Sequence, residues 1–571
     1  MKIIKLLSKT VFIGALLFLA SCSKKLDQAN ENPNGVDPSN ANPNLMLPTI
    51  LTGTAKSYVD LGYGRISGVV QYTQEDGWFS GYNHYDWSEE DWSGWYALLR
   101  NNEFLYQRAV DLDYKLHQGI ALTMKSFLFG TVADLWGNAP YTNALKGDEE
   151  LLYPDFDSQE TIYKGVLEDL KTASSIFASV GDASGYYAAG YDVYYDGDPE
   201  KWQKFANTLI LRYAMRVSNK LTDIAKSNVE AIYSSGIYIQ NSSGDATMKY
   251  VGATADNSWP NAVAWDGSES NWRRRKPAQT LLNTMLQYDD PRIPVWFQPV
   301  HVRWVADPAL PTKMDEFIRE DGVILTGIKS FSEQEFKEKI AAGHVYTRHF
   351  NPNTFTTNAP FVNSLPDTRE YVGIPAGLLY PDYYNSNPTS GQTVENQHVS
   401  QLSYLYQKSA DDLLRARLAS AAETSFILAE AALKGWSAGS AETHYNNGVK
   451  SSLETWGVAD GYTDYIAEPG VAYAGTLEQV LEQKWIAGWT AATEAWFDYR
   501  RTGLPALTAG PASTQPVLPV RFMYGQNELN NNSDNVNSAI GILEQTDYSG
   551  PRGKNSQWSK PWLLQGTRKP W

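Results

Sequence analysis

Two stretches of the chain concentrate side chains able to recognise a ligand. The first runs from Glu75 to Trp87 and spaces Trp78, Tyr82, Tyr85 and Trp87 among glycines, an amide and carboxylates. It continues through Trp92 to Trp95 and Tyr96. The second runs from Asp256 through Trp259, Trp265 and Trp272 to Arg273, Arg274 and Arg275. Glycine and charge between rings argue against a buried strand, so some of these rings are expected at solvent. A ligand with an apolar face and a polar rim, such as a pyranose sugar, would stack its C–H surface on such a ring. Amides, carboxylates or a guanidinium fork near the ring plane would then take its hydroxyls. Trp78, Tyr82, Tyr85, Trp87, Trp265, Trp272 and Arg275 are therefore the candidate ligand-binding residues. Trp95 and Tyr96 enter the next helical pattern and are assigned to the core. The competing role for every ring is to pin its own loop.

Other chemistries find less support. Asp192, Asp196 and Asp198 stand close together, but the run lacks the Asp-x-Asp-x-Asp-Gly order and trailing Glu of a calcium loop, and Asp198 precedes Pro199 as a helix cap would. The expectation is no cofactor and no metal, with calcium at these aspartates as the alternative. The seven histidines form no His-Glu-x-x-His pattern, and His344 and His349 do not share a helix face. No catalytic residue is assigned and the chain is read as a non-enzyme. Glycoside hydrolysis is the remote alternative, because the separation of two carboxylates is spatial and not sequential.

These groups must be positioned by elements that the hydrophobic period reveals. Apolar residues recur three and four apart over about 45–60, 93–112, 115–136, 159–179 and 200–220, and again over about 412–435, 439–456 and 475–492, predicting helices. Residues 240–410 lack that period and are dense in Pro, Gly, Asn and aromatics, the pattern of loops and short strands laid on a scaffold. The tail from 505 to 571 reads as irregular. Paired helices of this length suggest an α-solenoid, although no clean 34-residue repeat is present.

Composition narrows the class further. The rings number 19 Trp, 35 Tyr and 19 Phe in a chain of mean hydropathy −0.41, so many of them share a polar surface. The formal charge of −16 includes Lys2, Lys5 and Lys9, and their removal leaves about −19. This is a poor surface for nucleic acid, whose binding depends on clustered Lys and Arg. Those three lysines, the apolar run Thr10 to Ala20 and Leu19-Ala20-Ser21-Cys22 have the layout of a secretory signal over residues 1–21. The ending resembles a bacterial lipobox, which makes Cys22, the only cysteine, the expected lipid anchor. Residues 22–44 are polar and rich in Asn and Pro, and read as a tether. Several buried acyl chains at roughly 0.8 kcal/mol per CH₂ would hold such a protein on a membrane.

Several segments in order resemble the SusD/RagB family of outer-membrane nutrient-binding lipoproteins. They include Asn32-Pro33-Asn34, Ala133 to Tyr141, Trp202 to Leu209 with Arg212 and Arg216, Ala422 to Ala431, Gln483 to Ala487, Glu494 to Pro505 and Pro519 to Tyr524. The stretch from Gln483 to Pro505 is most similar to the branch called SusD-like 2. The resemblance implies a mainly α fold in a single domain over 45–571. Its scaffold of TPR-like helix pairs would span about 45–240 and 412–500, with an irregular ligand-binding region over about 240–410 on one face. It also implies a SusC-like TonB-dependent transporter as partner, an oligosaccharide as ligand with a peptide as the alternative, and lipid-anchored residence on the outer membrane at the cell surface. Glu423 and Glu430 fall on one helix face, where they can meet Arg212 or Arg216 between helices. Trp485 and Trp489, four apart, are assigned to the core.

Overall fold

The computed structural model describes residues 41–181, 188–356, 365–388 and 396–571. Cys22, the signal segment and most of the tether lie outside the described residues. The protein is mainly α. Helix α1 (Pro43–Leu61) starts at Asn42, whose side chain accepts the Asn44 N–H at 3.0 Å, and it buries Leu47, Ile50, Leu51, Ala55 and Tyr58 on one stripe. Helices α2 (Ser93–Asp111), α3 (Lys115–Trp136), α4 (Gln159–Ser179), α5 (Pro199–Arg216) and α6 (Thr222–Ser235) follow, each packed on the one before. Asp198 caps α5 by accepting the N–H groups of Glu200 and Lys201. No helix among the described residues is long and apolar enough to cross a membrane.

After α7 (Gln279–Gln287) and α8 (Glu333–Ala341), the helical scaffold resumes with α9 (Ala421–Leu433), α10 (Ala441–Thr455), α11 (Leu477–Ala487) and α12 (Ala492–Thr502). Here α9, α10 and α11 pack together, and α9 and α12 pack back onto α5. Three short strand systems sit on this frame. Strand β1 (Thr73–Glu75) pairs with β3 (Arg275–Pro277), and β2 (Ala246–Lys249) pairs with β8 (Arg415–Ala419), both antiparallel. A sheet of order β4-β7-β5-β6 uses Arg303–Ala306, Tyr346–Phe350, Arg319–Glu320 and Val323–Ile324.

The tail read as irregular carries two short helices, Gln526–Asn531 and Ser533–Ile542, whose few buried positions, Val536 and Ala539, leave almost no stripe to read. Three further elements differ from the periodicity reading. The helix predicted from about 412 begins only at Ala421, because Arg415-Ala-Arg-Leu-Ala alternates with period two and forms β8, and Ser420 then caps α9 on the Glu423 N–H. The segment 475–492 stops at Gly488, and α12 starts separately after a turn that places Thr490 at φ +68°. Helix α6 was not predicted, since its buried stripe is thin: Ala225, Asn228 and Val229.

Buried ion pairs join the first helical block to the second. Arg212 on α5 forks onto Glu423 on α9, Nε to Oε1 at 2.7 Å and Nη2 to Oε2 at 2.6 Å. Arg216 contacts Glu494 on α12 and lies 3.5 Å from Asp134 on α3. Arg501 donates to Glu430 Oε2 at 2.7 Å and to Asp498 at 3.0 Å, and Lys484 lies 2.7 Å from Asp498. Burial alone would raise the Asp498 pKa, but Lys484, Arg501 and Arg216 hold it well below the ordinary carboxylate range. The family-resembling residues Glu423 and Glu430 thus hold the scaffold together. Trp485 and Trp489 are core residues, with the Trp485 indole N–H on the Val70 carbonyl and Trp489 stacked on Trp296.

Glu430→Gln leaves the Arg501 guanidinium undercompensated in the interior and is expected to destabilise the protein by about 3–5 kcal/mol in urea unfolding. Glu200→Gln, which loses an exposed pair with Lys204, should leave the unfolding midpoint unchanged.

Candidate ligand-binding cleft

The two aromatic stretches are brought together by the β1–β3 ribbon. Glu75 lies opposite Arg275, and the Asp76 N–H donates to the Arg274 carbonyl at 2.9 Å. Arg275 is buried with its guanidinium 5.1 Å from the ring centres of both Tyr63 and Tyr82. It donates to the carbonyls of Tyr63 (2.8 Å) and Gly64 (3.1 Å) and to Glu75 Oε1 (3.1 Å). Burial disfavours its charge, but the Tyr82 phenol and the Glu75 carboxylate outweigh that and keep its pKa above the ordinary value. Its fork is therefore spent on the protein. Tyr82 is half-buried, its hydroxyl 2.7 Å from Ser67 Oγ and 2.6 Å from Thr73 Oγ1, and burial raises its pKa. This close seat needs Gly68, where an added Cβ would stand 2.6 Å from the Tyr82 ring.

The remaining candidates divide by exposure. Tyr85, Trp87 and Trp272 are buried, at 0 %, 4 % and 1 % exposure. Trp87 meets Phe522 edge-on at 5.3 Å and donates its indole N–H to the Gly81 carbonyl, while Trp272 stacks on Tyr404. Their ring faces are closed by protein. The expectation of exposure for Tyr85, Trp87 and Trp272 is therefore corrected: other parts of the chain, Phe522 and Tyr404 among them, fold over these rings. Trp78 and Trp265 reach solvent, at 67 % and 48 % exposure.

Trp265 stands over a cleft of about 330 Å³. Trp259 and Tyr250 are its apolar part, and Lys56, Asp60, Asp256 and Asn261 are among its polar lining. Trp259 is buried against Tyr63 at 5.0 Å and Tyr250 at 5.6 Å, and its backbone N–H donates to the Ser409 carbonyl at 2.8 Å. The Trp265 indole N–H donates to Ser258 Oγ at 2.7 Å, which fixes the ring while leaving much of it open. Asp266 holds the same loop by accepting the N–H of Asn271 at 2.9 Å and the Ser268 hydroxyl at 2.8 Å. Burial would raise the Asp266 pKa, but these bonds lower it. Asp60 is shifted the other way: desolvation raises its pKa against the opposing charge of Lys56. Lys56 in turn pairs with Asp256 across the mouth. The arrangement offers an anchored ring beside carboxylates, an amide and an ammonium, which is what a polyhydroxylated ligand with an apolar face requires.

Sequence reading missed part of this cleft. Trp259 lay in the second stretch but was not singled out, and Lys56 and Asp60 come from α1, about 200 residues away, where nothing local marks them. The aspartates weighed for calcium are engaged in local bonds. Asp192 accepts from the Trp202 indole (2.6 Å), Gly197 N–H (2.8 Å) and Tyr194 N–H (3.0 Å), and Asp196 accepts the Gly190 N–H. The chain does carry one Gly-x-Ser-x-Gly run, Gly435 to Gly439. It joins α9 to α10 and not a strand to a helix, and the nearby His444 ring is bonded to the Ala438 carbonyl. It is therefore not a nucleophile elbow.

The chain belongs to the SusD-like 2 family, whose model, described as starch-binding associating with outer membrane, matches residues 36–304 and 358–525. Its fold is shared by solved structures. An outer-membrane protein from Bacteroides vulgatus superposes with a TM-score of 0.68 at 23% identity, over 92% of this chain and 100% of that one. A SusD homologue from Bacteroides fragilis gives 0.67 at 19% identity, over 92% and 99%. A chitin-binding SusD homologue from Flavobacterium johnsoniae gives 0.63 at 22% identity, over 91% and 98%. No curated protein matches the chain.

The buried and exposed rings of the cleft should separate on mutation. Trp259→Ala empties a core site and is expected to cost about 3–5 kcal/mol in urea unfolding. Trp265→Ala should cost less than about 1 kcal/mol, because much of that ring is already in water.

Proposed function

We propose that the protein captures an oligosaccharide at the cell surface in the cleft beneath Trp265 and delivers it to a SusC-like TonB-dependent transporter. In this reading it is held on the outer membrane by lipid on Cys22 and binds its ligand without cleaving it. The observation that carries the proposal is the fixed, half-exposed Trp265 ring beside a rim of Asp60, Asp256, Asn261 and Lys56. A ring held by its own N–H does not have to be ordered by the ligand, so stacking is not offset by lost rotamer freedom. The family description names starch, and the Flavobacterium johnsoniae relative is described as chitin-binding. Maltooligosaccharides and chitooligosaccharides are therefore the first ligands to try. Trp78 is a second solvent-facing ring, but it does not line this cleft.

Calorimetric titration of the soluble chain starting after Cys22 with maltoheptaose and chitohexaose, backed by a glycan array, tests the proposal. Trp265→Ala is expected to weaken binding of the recognised glycan by about 1–3 kcal/mol with no change in melting temperature. A glycan bound equally well by parent and Trp265→Ala, or an array with no retained glycan, contradicts it.

A further inference from the structure

The cleft beneath Trp265 has a charge as well as a shape. Asp60, Asp256 and Asp266 line it against the single ammonium of Lys56, a net charge of −2, and neither arginine nor histidine is among its lining residues. Lys56 is committed to Asp256. Asp266 accepts the Asn271 N–H and the Ser268 hydroxyl and forms no ion pair among the described residues. Asp60, one turn beyond Lys56 on α1, makes neither a hydrogen bond nor an ion pair among them. Two carboxylates thus stand in the cleft without a cation at ion-pair distance.

Asp60 is the one a ligand can use. It is exposed, so it can be reached, yet the cleft crowds it enough that desolvation raises its pKa against the pull of Lys56. A poorly hydrated carboxylate gains more from an incoming cation than one in open water does. Tyr250, which also lines the cleft, is 7 % exposed, and its hydroxyl has no hydrogen-bond partner among the described residues. After burial, the Asp60 charge is what raises the Tyr250 pKa, so the two groups share one part of the cleft. A buried hydroxyl left unpaired beside an open carboxylate left unpaired is a place for a ligand's polar atoms. A neutral sugar hydroxyl would bond there and leave the negative charge standing, and a uronate or sulfate would add to it. An ammonium would compensate it.

We infer that the Trp265 cleft selects an oligosaccharide carrying free amino groups, such as a glucosamine oligomer, with Asp60 binding the sugar ammonium while Trp265 stacks on a ring face. The inference rests on the glycan reading of this cleft and adds to it the charge of the sugar and the residue that reads that charge.

Calorimetric titration compares the glucosamine hexamer with chitohexaose, the same backbone with every amine acetylated, in a buffer that keeps the free amines protonated. The parent is expected to bind the glucosamine hexamer about tenfold more tightly, the difference that one charge-assisted hydrogen bond makes. Added salt should weaken that binding and leave chitohexaose nearly unaffected. Asp60→Asn is expected to bring the ratio of the two affinities close to one at an unchanged melting temperature. Glu200→Gln removes an equal charge outside the cleft and should keep the parent's ratio. A glucosamine hexamer bound no more tightly than chitohexaose, a preference indifferent to salt, or the parent's ratio kept by Asp60→Asn would overturn the inference. So would Trp265→Ala binding the glucosamine hexamer like the parent, which marks attraction to the acidic surface at large. The glycan reading itself is judged separately, from a neutral oligosaccharide and its weakening in Trp265→Ala, so the two can fail apart.

Discussion

The fold depends on carboxylates and guanidinium groups buried between helices that are far apart in sequence. Arg212 and Arg216 on α5 reach Glu423 on α9 and Glu494 on α12, and Arg501 on α12 reaches Glu430 on α9. Asp134 on α3 ties into the same network through Arg216 and Arg500, whose Nη1 also donates to the Asp134 and Val520 carbonyls. Desolvating so many charges means that the network need not add net stability over an apolar core. Its effect is to fix register. A forked guanidinium–carboxylate pair is directional, so the network favours the docking of the second helical block in which these pairs form. The irregular region of about 170 residues between the blocks is thereby held at both ends.

What the scaffold supports is a layer of loops pinned by rings. Arg275 sits between Tyr63 and Tyr82, Tyr63 meets Trp259, and Trp259 meets Tyr250 and Tyr406. This aromatic layer continues through Trp489 into the helical core. A loop floor of this kind is rigid, because packed rings in fixed geometry leave few alternative rotamers. The recognition surface above it then needs only a few groups, such as Trp265, to project. The same economy explains why most aromatics of the two dense stretches are buried: they build the platform's support, and the platform itself is a minority of the rings.

Much of the scaffold was legible because helix stripes are local. The shared face of Glu423 and Glu430 predicted helix α9 and the Arg212–Glu423 pair, but Glu430 meets Arg501 on α12 and not Arg212 or Arg216, because Arg216 is taken by Glu494 and Asp134. Period two over Arg415 to Ala419 was equally present in the sequence but was absorbed into the helix that follows it. The cleft was less legible. Exposure of a ring depends on what folds over it, and nothing within Gly81 to Trp87 distinguishes a loop that faces water from one that turns Trp87 onto Phe522. Nor does the pattern of α1 mark Lys56 and Asp60 as rim residues, since their partners arrive about 200 residues later. Trp265 could be named from sequence because Asp266, Gly267 and Ser268 follow it directly.

The central claim is that the Trp265 face is where the ligand sits. Hydroxyl-radical footprinting with mass spectrometry, with and without a saturating oligosaccharide found to bind, reads this directly as the oxidation rate of each tryptophan. The account predicts that Trp265 is oxidised readily in the free protein and is protected when the glycan is bound, while buried Trp259 and Trp272 react slowly in both states. Unchanged oxidation of Trp265 in the saturated complex, with protection at another ring, would contradict it.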